Sequence, residues 1–333
     1  MSKNLALRER LFDLCSENLS IHFPQLQDVF LCPLCLNPFD RDAIFATEDG
    51  QDPVLTVEHI MPDALGGRIS TLTCKPCNNL VGGSHLDSHL IRRLKVEDTD
   101  LSTTPLRVEA HIRGYSVEVE LRAGSRQIEL HSLSNAPGRN PHVVELIRVL
   151  NEVETETGRV NISPRIESSR DGVRSAEDQL AFVLNKRSAY DPLRSKIGIL
   201  KTGYLLMFHL FGYEYILHEN LQQVRTQILN PREDVIASRA ILRLEQPPPH
   251  PGGVGLLYTP RVLRCFFVTL DLSTERDRYY GVVLPGLDEE SRSVYGRWEV
   301  TGRIDFRVIP IPFALEFREY AFPTWIWHNV GEG

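Results

Sequence analysis

Apolar and polar positions change period several times within the first 95 residues. Residues 4–18 carry apolar side chains at helical spacing, whereas residues 54–60 alternate between apolar and polar, which is typical of a half-buried strand. Extended character returns at residues 71–74, and helical spacing follows up to about residue 95, after the pair Gly82-Gly83. The pattern therefore predicts a helix, two extended segments and a second helix.

Beyond residue 95 the pattern predicts a larger mixed region. The polar stretch 96–105 contains a proline at its end and is interpreted as a linker. Strands are predicted as a meander within residues 106–132 and, after the proline-rich tract 246–255, at residues 262–272, 279–285, 295–302 and 304–311. Helices are predicted between these two groups, at residues 141–154, 176–187, 195–211 and 217–229. We therefore expect an α+β protein with domains at residues 1–95 and 106–333.

Charge and hydropathy narrow the functional classes. The 333 residues carry a net charge of −7, which argues against non-specific coating of DNA but leaves room for a local basic face. The sequence has no run of about 18 apolar residues, and its N-terminal segment lacks the apolar core of a secretory signal. We therefore expect no membrane partner and a cytoplasmic location.

Four of the six cysteines form two Cys-x-x-Cys pairs. In a cytosolic chain such pairs are typical of metal sites rather than of disulfides. Four thiolates complete a closed tetrahedral shell around zinc, as in structural rather than catalytic sites. We therefore predict a structural zinc ion held by Cys32, Cys35, Cys74 and Cys77, the alternative being two unrelated pairs in loops. Cys15 and Cys265 lie in apolar stretches and are interpreted as core residues.

A second motif lies between the cysteine pairs. It reads Glu58-His59-Ile60-Met61-Pro62, is followed by Gly66-Gly67, and the second pair is followed directly by Asn78. With CPLC and CKPCN on either side, this arrangement over residues 30–95 resembles the zinc-containing HNH endonucleases. The combination is specific, although each piece alone would be weak. Gly66-Gly67 are interpreted as a tight turn with positive φ.

The resemblance implies a ββα-metal fold and a metal-dependent endonuclease that hydrolyses phosphodiester bonds, in DNA more than in RNA. By the same resemblance His59 is the general base, and Glu58 and Asn78 hold a catalytic Mg²⁺ or Mn²⁺ ion, with Asn79 as the alternative to Asn78. Neighbouring residues of an extended strand point to opposite faces. Glu58 and His59 are therefore expected to face opposite sides, which suits separate roles.

The chain departs from the family pattern at one place. The family often carries an asparagine shortly before the second cysteine pair, whereas this chain has Arg68-Ile69-Ser70-Thr71-Leu72. Ser70 or Thr71 is the expected substitute. His85 and Asp87 are further candidates for an ion or phosphate contact, although a helix-capping role is the simpler interpretation. The nearest basic residues, expected to contact nucleic-acid phosphates unless they are ordinary surface charges, are Arg68, Lys75, Arg92 and Arg93.

Residues 106–333 contain no catalytic motif that we can identify, and we expect them to bind nucleic acid or a protein partner. Residues 159–201 contain nine Lys and Arg residues but only five Asp and Glu residues. This excess of positive charge makes the stretch a candidate nucleic-acid surface, although charged stretches usually form an ordinary solvent-exposed face. The apolar stretch 193–216 is interpreted as a buried helix pair.

Three functional hypotheses remain open at this point. The chain is an active endonuclease, a catalytically silent zinc-stabilised module that binds nucleic acid or protein, or a nuclease controlled by a partner. Nucleases with an added domain also resemble bacterial antiviral defence effectors, including HNH proteins that act beside short Argonautes. That likeness is an analogy of organisation and rests on no particular residue.

Overall fold

A computed structural model describes the protein over most of the two ends of the chain and less of its middle. The described residues are 3–45, 53–79, 85–100, 103–104, 106–112, 115–123, 128–132, 181–184, 189–248, 252–259, 263–300, 307–311 and 327. The helix predicted at 141–154 and most of the basic stretch 159–201 lie outside these residues.

Contacts divide the chain into two compact units. The first unit joins Met1–Ile91 to Leu193–Gly333, and the second is Arg92–Pro192. These units do not coincide with the predicted domains 1–95 and 106–333, because the C-terminal part of the chain supplies core packing to the N-terminal part. The predicted linker also begins inside a helix that runs to Asp98.

The N-terminal part of the first unit follows the predicted order of elements. It consists of α1 (Lys3–His22), β1 (Phe30–Leu31), β2 (Pro38–Phe39), β3 (Leu55–His59), β4 (Ser70–Cys74), the short helical turn α2 (Lys75–Cys77) and the start of α3 (Asp87–Asp98). β1 pairs with β2, and β3 pairs with β4, both antiparallel.

A long helix, α4 (Pro192–Ile216), forms the centre of the first unit. Nearly every residue from Ser195 onwards is buried. The predicted helix pair is present as two helical segments that meet at Gly212, where φ is 60° and ψ is −149°. A Cβ atom at Gly212 would lie 2.1 Å from Oδ1 of Asn18, and that oxygen accepts a hydrogen bond of 2.8 Å from the backbone N–H of Tyr213. Glycine is thus required both by its φ and by the close approach of α1.

A five-stranded antiparallel sheet packs beside α4, with Gly203 of the helix against Val282 of the sheet. The strands lie in the order β13-β10-β11-β12-β9. Their bounds are β9 (Ile241–Leu244), β10 (Val254–Thr259), β11 (Cys265–Asp271), β12 (Tyr279–Pro285) and β13 (Arg307–Ile311), with the short helices α5 (Gln222–Leu229), α6 (Ala237–Ala240) and α7 (Val294–Val300) around them.

The sheet corrects one sequence prediction. Residues 295–302 were expected to form a strand, but the structure places α7 at Val294–Val300, directly after a 3₁₀ turn at Glu290–Ser293. The hydroxyl of Tyr295 donates a hydrogen bond of 3.0 Å to the carbonyl of Val283. Tertiary packing has here overridden the strand preference of aromatic and β-branched residues.

The second unit contains a four-stranded antiparallel sheet in the order β7-β6-β5-β8. Its strands are β5 (Leu106–Ile112), β6 (Tyr115–Ala123), β7 (Ile128–Ser132) and β8 (Ala181–Leu184). The predicted meander is confirmed by the pairing of β5 with β6 and of β6 with β7. The prediction of a helix across residues 176–187 was wrong at residues 181–184, which pair with β5 instead. In neither unit do the described helices combine the length and apolar character that a membrane span requires.

Candidate active site and metal centre

The four paired cysteines converge on one point. Their sulfur atoms all lie within 4.8 Å of one another, and Sγ of Cys35 is 3.7 Å from Sγ of Cys74. A tetrahedron with metal–sulfur distances of about 2.3 Å has sulfur–sulfur edges of about 3.8 Å. Cys32, Cys35, Cys74 and Cys77 therefore form a group that can hold a metal ion, and the distance between Cys35 and Cys74 matches that edge.

Local backbone structure creates this convergence. The first pair lies on a tight loop between β1 and β2, where the N–H of Leu36 donates to the carbonyl of Cys32 at 2.8 Å. The loop requires a φ of 60° at Leu36, which is uncommon for a residue with a side chain. In the second pair, Cys74 is the last residue of β4 and Cys77 is the last residue of α2. The backbone N–H of Cys74 points at Sγ of Cys32, 3.5 Å away. Such N–H groups stabilise a thiolate, the form that binds metal.

The four clustered thiols influence one another, whereas the other two cysteines are affected by burial alone. Hydrogen bonding from the Cys32 side chain lowers the pKa of the Cys35 and Cys74 thiols and raises that of Cys77, while burial raises the pKa of Cys32 itself. Burial alone raises the pKa of Cys15 and Cys265 well above the ordinary thiol value. Both are 0% exposed, so the interpretation of Cys15 and Cys265 as core residues is confirmed.

The β3–β4 hairpin presents Glu58 and His59 on opposite faces. Glu58 is 4% exposed, whereas His59 is exposed at the end of β3. Glu58 pairs with Thr71 of β4, and His59 pairs with Ser70. The loop between the strands is closed at its base by the N–H of Ile60, which donates to the carbonyl of Ile69 at 3.0 Å.

The two glycines of this loop serve different purposes. Gly66 has a φ of 81°, as predicted, and a Cβ atom there would meet open space. The prediction of a positive φ was wrong for Gly67, which is required by close approach instead. A Cβ atom at Gly67 would lie 1.8 Å from the carbonyl oxygen of Met61. Gly67 thereby lets the chain pass directly over the segment that follows His59.

Asn78 ties the second cysteine pair to the strand that carries Glu58. Its Nδ2 donates to Oγ1 of Thr56 at 2.9 Å and to the carbonyl of Val57 at 3.1 Å. Because the Val57 carbonyl can only accept, the amide nitrogen must face β3, and the amide oxygen is the atom left for a cation. The alternative residue, Asn79, is exposed.

Lys201 of α4 reaches Glu58 in the interior of the first unit. Its Nζ is 2.5 Å from Oε1 of Glu58 and 2.8 Å from both carboxylate oxygens of Asp87. Lys201 is 0% exposed. Burial raises the pKa of Glu58 although Lys201 acts in the opposite direction, and the Asp87 and Glu58 carboxylates raise the pKa of Lys201 against the effect of its own burial. We call Glu58, Asp87 and Lys201 the buried charge cluster.

The helix α4 also supports the first cysteine pair. The hydroxyl of Tyr204 donates to the carbonyl of Pro33 at 2.7 Å, and that of Tyr213 donates to the carbonyl of Leu31 at 2.7 Å. Pro33 lies between Cys32 and Cys35. One helix from the C-terminal part of the chain therefore supports both the cysteine cluster and the buried charge cluster.

Comparison with known proteins identifies the segment around the hairpin. Residues 44–95 match a family described as HNH endonuclease. This segment belongs to the HNH endonuclease family. The HNH segment contains Glu58, His59, Asn78 and the second cysteine pair, whereas the first cysteine pair and Lys201 lie outside the match. Comparisons of the chain with curated proteins and with solved structures each found no match.

The HNH segment lacks the asparagine that the family often carries, and Thr71 does not replace its hydrogen bond. Thr71 is 1% exposed, and its Oγ1 has no hydrogen-bond partner. Backbone hydrogen bonds hold the loop instead, among them Leu65 N–H to the Pro62 carbonyl at 2.8 Å. No described contact assigns this role to Ser70.

The predicted phosphate-contacting residues differ in their surroundings. Arg68 is exposed on the hairpin loop, and Lys75 is half-buried. Arg92 donates to the carbonyl of Ala189 at 3.3 Å, and Arg93 forms an ion pair with Glu97 at 2.7 Å. Of the remaining candidates, His85 is exposed, whereas Asp87 belongs to the buried charge cluster.

Lys201 corrects a sequence interpretation. It was counted in the basic stretch 159–201 as part of a possible nucleic-acid surface, but a side chain with 0% exposure cannot contact a phosphate. The signal that could have revealed it is a lysine inside a long apolar helix, because a buried charge requires a partner of opposite charge. That signal predicts a partner without saying which carboxylate supplies it.

Proposed function

We propose that the protein is a metal-dependent endonuclease that hydrolyses phosphodiester bonds in nucleic acid, with DNA before RNA as its substrate. The observation that carries the proposal is the end of β3, where an exposed His59 adjoins a buried Glu58 inside the segment that matches the HNH endonucleases. The antiparallel hairpin followed by α3 has the element order expected of a ββα-metal site.

His59 is assigned as the general base. Its side chain is exposed at the end of the strand, where a water molecule and a phosphodiester can reach it. Imidazole changes its charge between about pH 5 and pH 8, so it can accept a proton from water under physiological conditions. The opposite orientation of Glu58 keeps the carboxylate away from that proton transfer.

Glu58 and Asn78 are assigned as the residues that hold the catalytic ion. A carboxylate oxygen and an amide oxygen are the hard donors that Mg²⁺ and Mn²⁺ prefer, and the hydrogen bonds of Asn78 use its nitrogen and leave its oxygen. The donor set therefore fits a divalent ion. When bound, such an ion neutralises charge that develops on the phosphate and on the leaving oxygen.

The cysteine cluster is assigned as a structural zinc site. A shell of four sulfurs leaves no open position for substrate or water. The cluster links the β1–β2 loop to the end of β4, so a zinc ion fixes the start of the segment that carries Asn78. The contacts to nucleic-acid phosphate are assigned to Arg68 first, because it is exposed on the loop beside His59, and then to Lys75, Arg92 and Arg93.

One observation favours a second candidate function. The ammonium group of Lys201 already lies against Glu58, which is the carboxylate assigned to the ion. A chain in which this lysine permanently replaced the ion would be a silent module that binds nucleic acid or protein. Control by a protein partner through residues 106–333, as in a defence effector, is a further extension, and comparing cleavage by the chain alone and within its native complex tests it.

Cleavage assays separate these functions. The purified full chain is incubated with plasmid, single-stranded DNA and RNA in the presence of Mg²⁺, Mn²⁺ or EDTA, with His59→Ala as the matched control. We expect cutting that requires a divalent ion and His59. Binding of nucleic acid without any cutting would support the silent module, and cutting that survives both EDTA and His59→Ala would contradict the assigned site.

A further inference from the structure

The buried charge cluster contains three ionisable groups, although only one of them, the Glu58 carboxylate, is assigned to the catalytic ion. Glu58 is 4%, Asp87 7% and Lys201 0% exposed. With all three groups ionised, two carboxylates and one ammonium leave a net charge of −1. Charges removed from water to this degree persist only when they are paired, because their desolvation is costly.

One lysine serves both carboxylates of the cluster. Nζ of Lys201 donates a hydrogen bond to Oε1 of Glu58 at 2.5 Å and to Oδ2 of Asp87 at 2.8 Å. It also lies at the ion-pair distance of 2.8 Å from Oδ1 of Asp87, which has no hydrogen-bond partner. Lys201 is therefore placed to anchor Glu58 and to neutralise Asp87 at the same time.

Packing fixes Lys201 in this place. A Cβ atom on Gly198, one turn before Lys201, would lie 3.3 Å from the carbonyl of Leu86, next to Asp87. A Cβ atom on Gly203 would lie 2.9 Å from Val282 of β12. The helix is thus in close contact with α3 on one side and with the sheet on the other, so Lys201 cannot withdraw without moving the core.

We propose that Lys201 is a positioning residue of the nuclease site, which anchors Glu58 and, by neutralising Asp87, limits the site to one loosely held divalent ion. This inference rests on the proposed function. Mg²⁺ sites in nucleases use few protein ligands and keep several waters. Two free carboxylates at this place would hold an ion more tightly and in the interior, away from His59.

Charge variants provide the test, with Mn²⁺ binding to the full-length, zinc-loaded protein as the readout. The cluster carries −1 in the wild type, 0 in Asp87→Asn, −2 in Lys201→Met and −1 again in the double variant. Even at the effective dielectric constant of protein sites, one unit charge near the ion changes its affinity by about tenfold or more. The control is Lys196→Met, which removes the same charge from α4, where Lys196 bonds to Oγ of Ser238 instead.

We expect Mn²⁺ to bind about tenfold more weakly to Asp87→Asn, about tenfold more tightly to Lys201→Met, and within about threefold of wild type to the double variant. At saturating Mn²⁺, cleavage by Lys201→Met should fall at least about tenfold, because Glu58 has lost its anchor. Lys196→Met should leave Mn²⁺ binding unchanged, since Lys196 contacts Ser238 and not the buried charge cluster. A role in stability alone would lower the melting temperature without producing this order of affinities.

Other outcomes overturn the inference. Equal Mn²⁺ affinity across the series excludes a role for Lys201 in ion binding, and faster cleavage by Lys201→Met would show that the lysine blocks the site. If Lys201→Met alone does not fold, Asp87→Asn against the double variant decides the same question. The proposed function fails separately: a wild type that cuts no substrate refutes the nuclease even where the Mn²⁺ series follows the expected order.

Discussion

The cysteine cluster and the buried charge cluster differ in how far along the chain their members lie from one another. Cys35 and Cys74 are 39 residues apart. Lys201 bonds to Glu58 across 143 residues and to Asp87 across 114. The first cluster is built from a repeated residue type at fixed spacing, and the second from unlike residues on three separate elements.

The difference shows which sites a sequence reveals. The metal-binding role of two Cys-x-x-Cys pairs can be predicted from local sequence, because the short spacing brings the two cysteines of each pair together whatever the tertiary packing. The partner of Glu58 depends on where α4 lies against β3 and α3. That placement results from core packing, which many apolar sequences could satisfy.

The largest expected effect follows from disrupting the cysteine cluster. Cys74→Ser should abolish stoichiometric zinc and the stable fold, because structural zinc contributes about 10–16 kcal/mol in small domains, against a total stability of about 5–15 kcal/mol. Elemental analysis and thermal unfolding measure both quantities. Cys265→Ala, a core cysteine outside the cluster, should keep its zinc. A folded Cys74→Ser protein with one zinc per chain would refute the assignment.

The next effect concerns the exposed side of the hairpin. His59→Ala should lower the cleavage rate by about 10²–10⁴-fold, the usual contribution of a general base, while zinc content and melting temperature stay unchanged because the side chain is exposed. Glu58→Ala should lower activity, since it removes a proposed ion ligand, and stability, since buried Lys201 loses a charged hydrogen-bond partner. Excess Mn²⁺ should partly restore cutting by Glu58→Ala and not by His59→Ala; the reverse would mean that the two roles are exchanged.

The sequence was sufficient to predict the local features of the site but not the contacts between residues far apart along the chain. The opposite orientation of Glu58 and His59 follows from strand alternation, and the convergence of the cysteines follows from their spacing. The contacts of Tyr204 and Tyr213 to the first cysteine loop do not follow from any local pattern. The strand β8 and the helix α7 were also missed, because pairing with β5 and packing on β12 override the local preference of their residues.

The hairpin loop allows a matched comparison between neighbouring glycines. Gly67→Ala should destabilise the protein by about 3 kcal/mol, because its Cβ atom would collide with the Met61 carbonyl and the backbone would have to shift. Gly66→Ala should cost only about 1 kcal/mol, the penalty of a left-handed backbone with no steric clash. Chemical denaturation measures both. Equal costs would show that the loop is looser than its contacts indicate.

The smallest effect probes the interior beside the buried charge cluster. Thr71 is the cross-strand neighbour of Glu58, is 1% exposed, and buries a hydroxyl without a hydrogen-bond partner. Leaving a buried hydroxyl unsatisfied costs about 1–3 kcal/mol, and valine has nearly the same shape. Thr71→Val should therefore stabilise the protein by about 1 kcal/mol in chemical denaturation. Thr56→Val, which removes the hydroxyl that accepts from Asn78, should instead destabilise it by about 1 kcal/mol. Destabilisation by Thr71→Val would mean that the hydroxyl has a bound water as its partner, and the interior beside Glu58 would then be wet rather than dry.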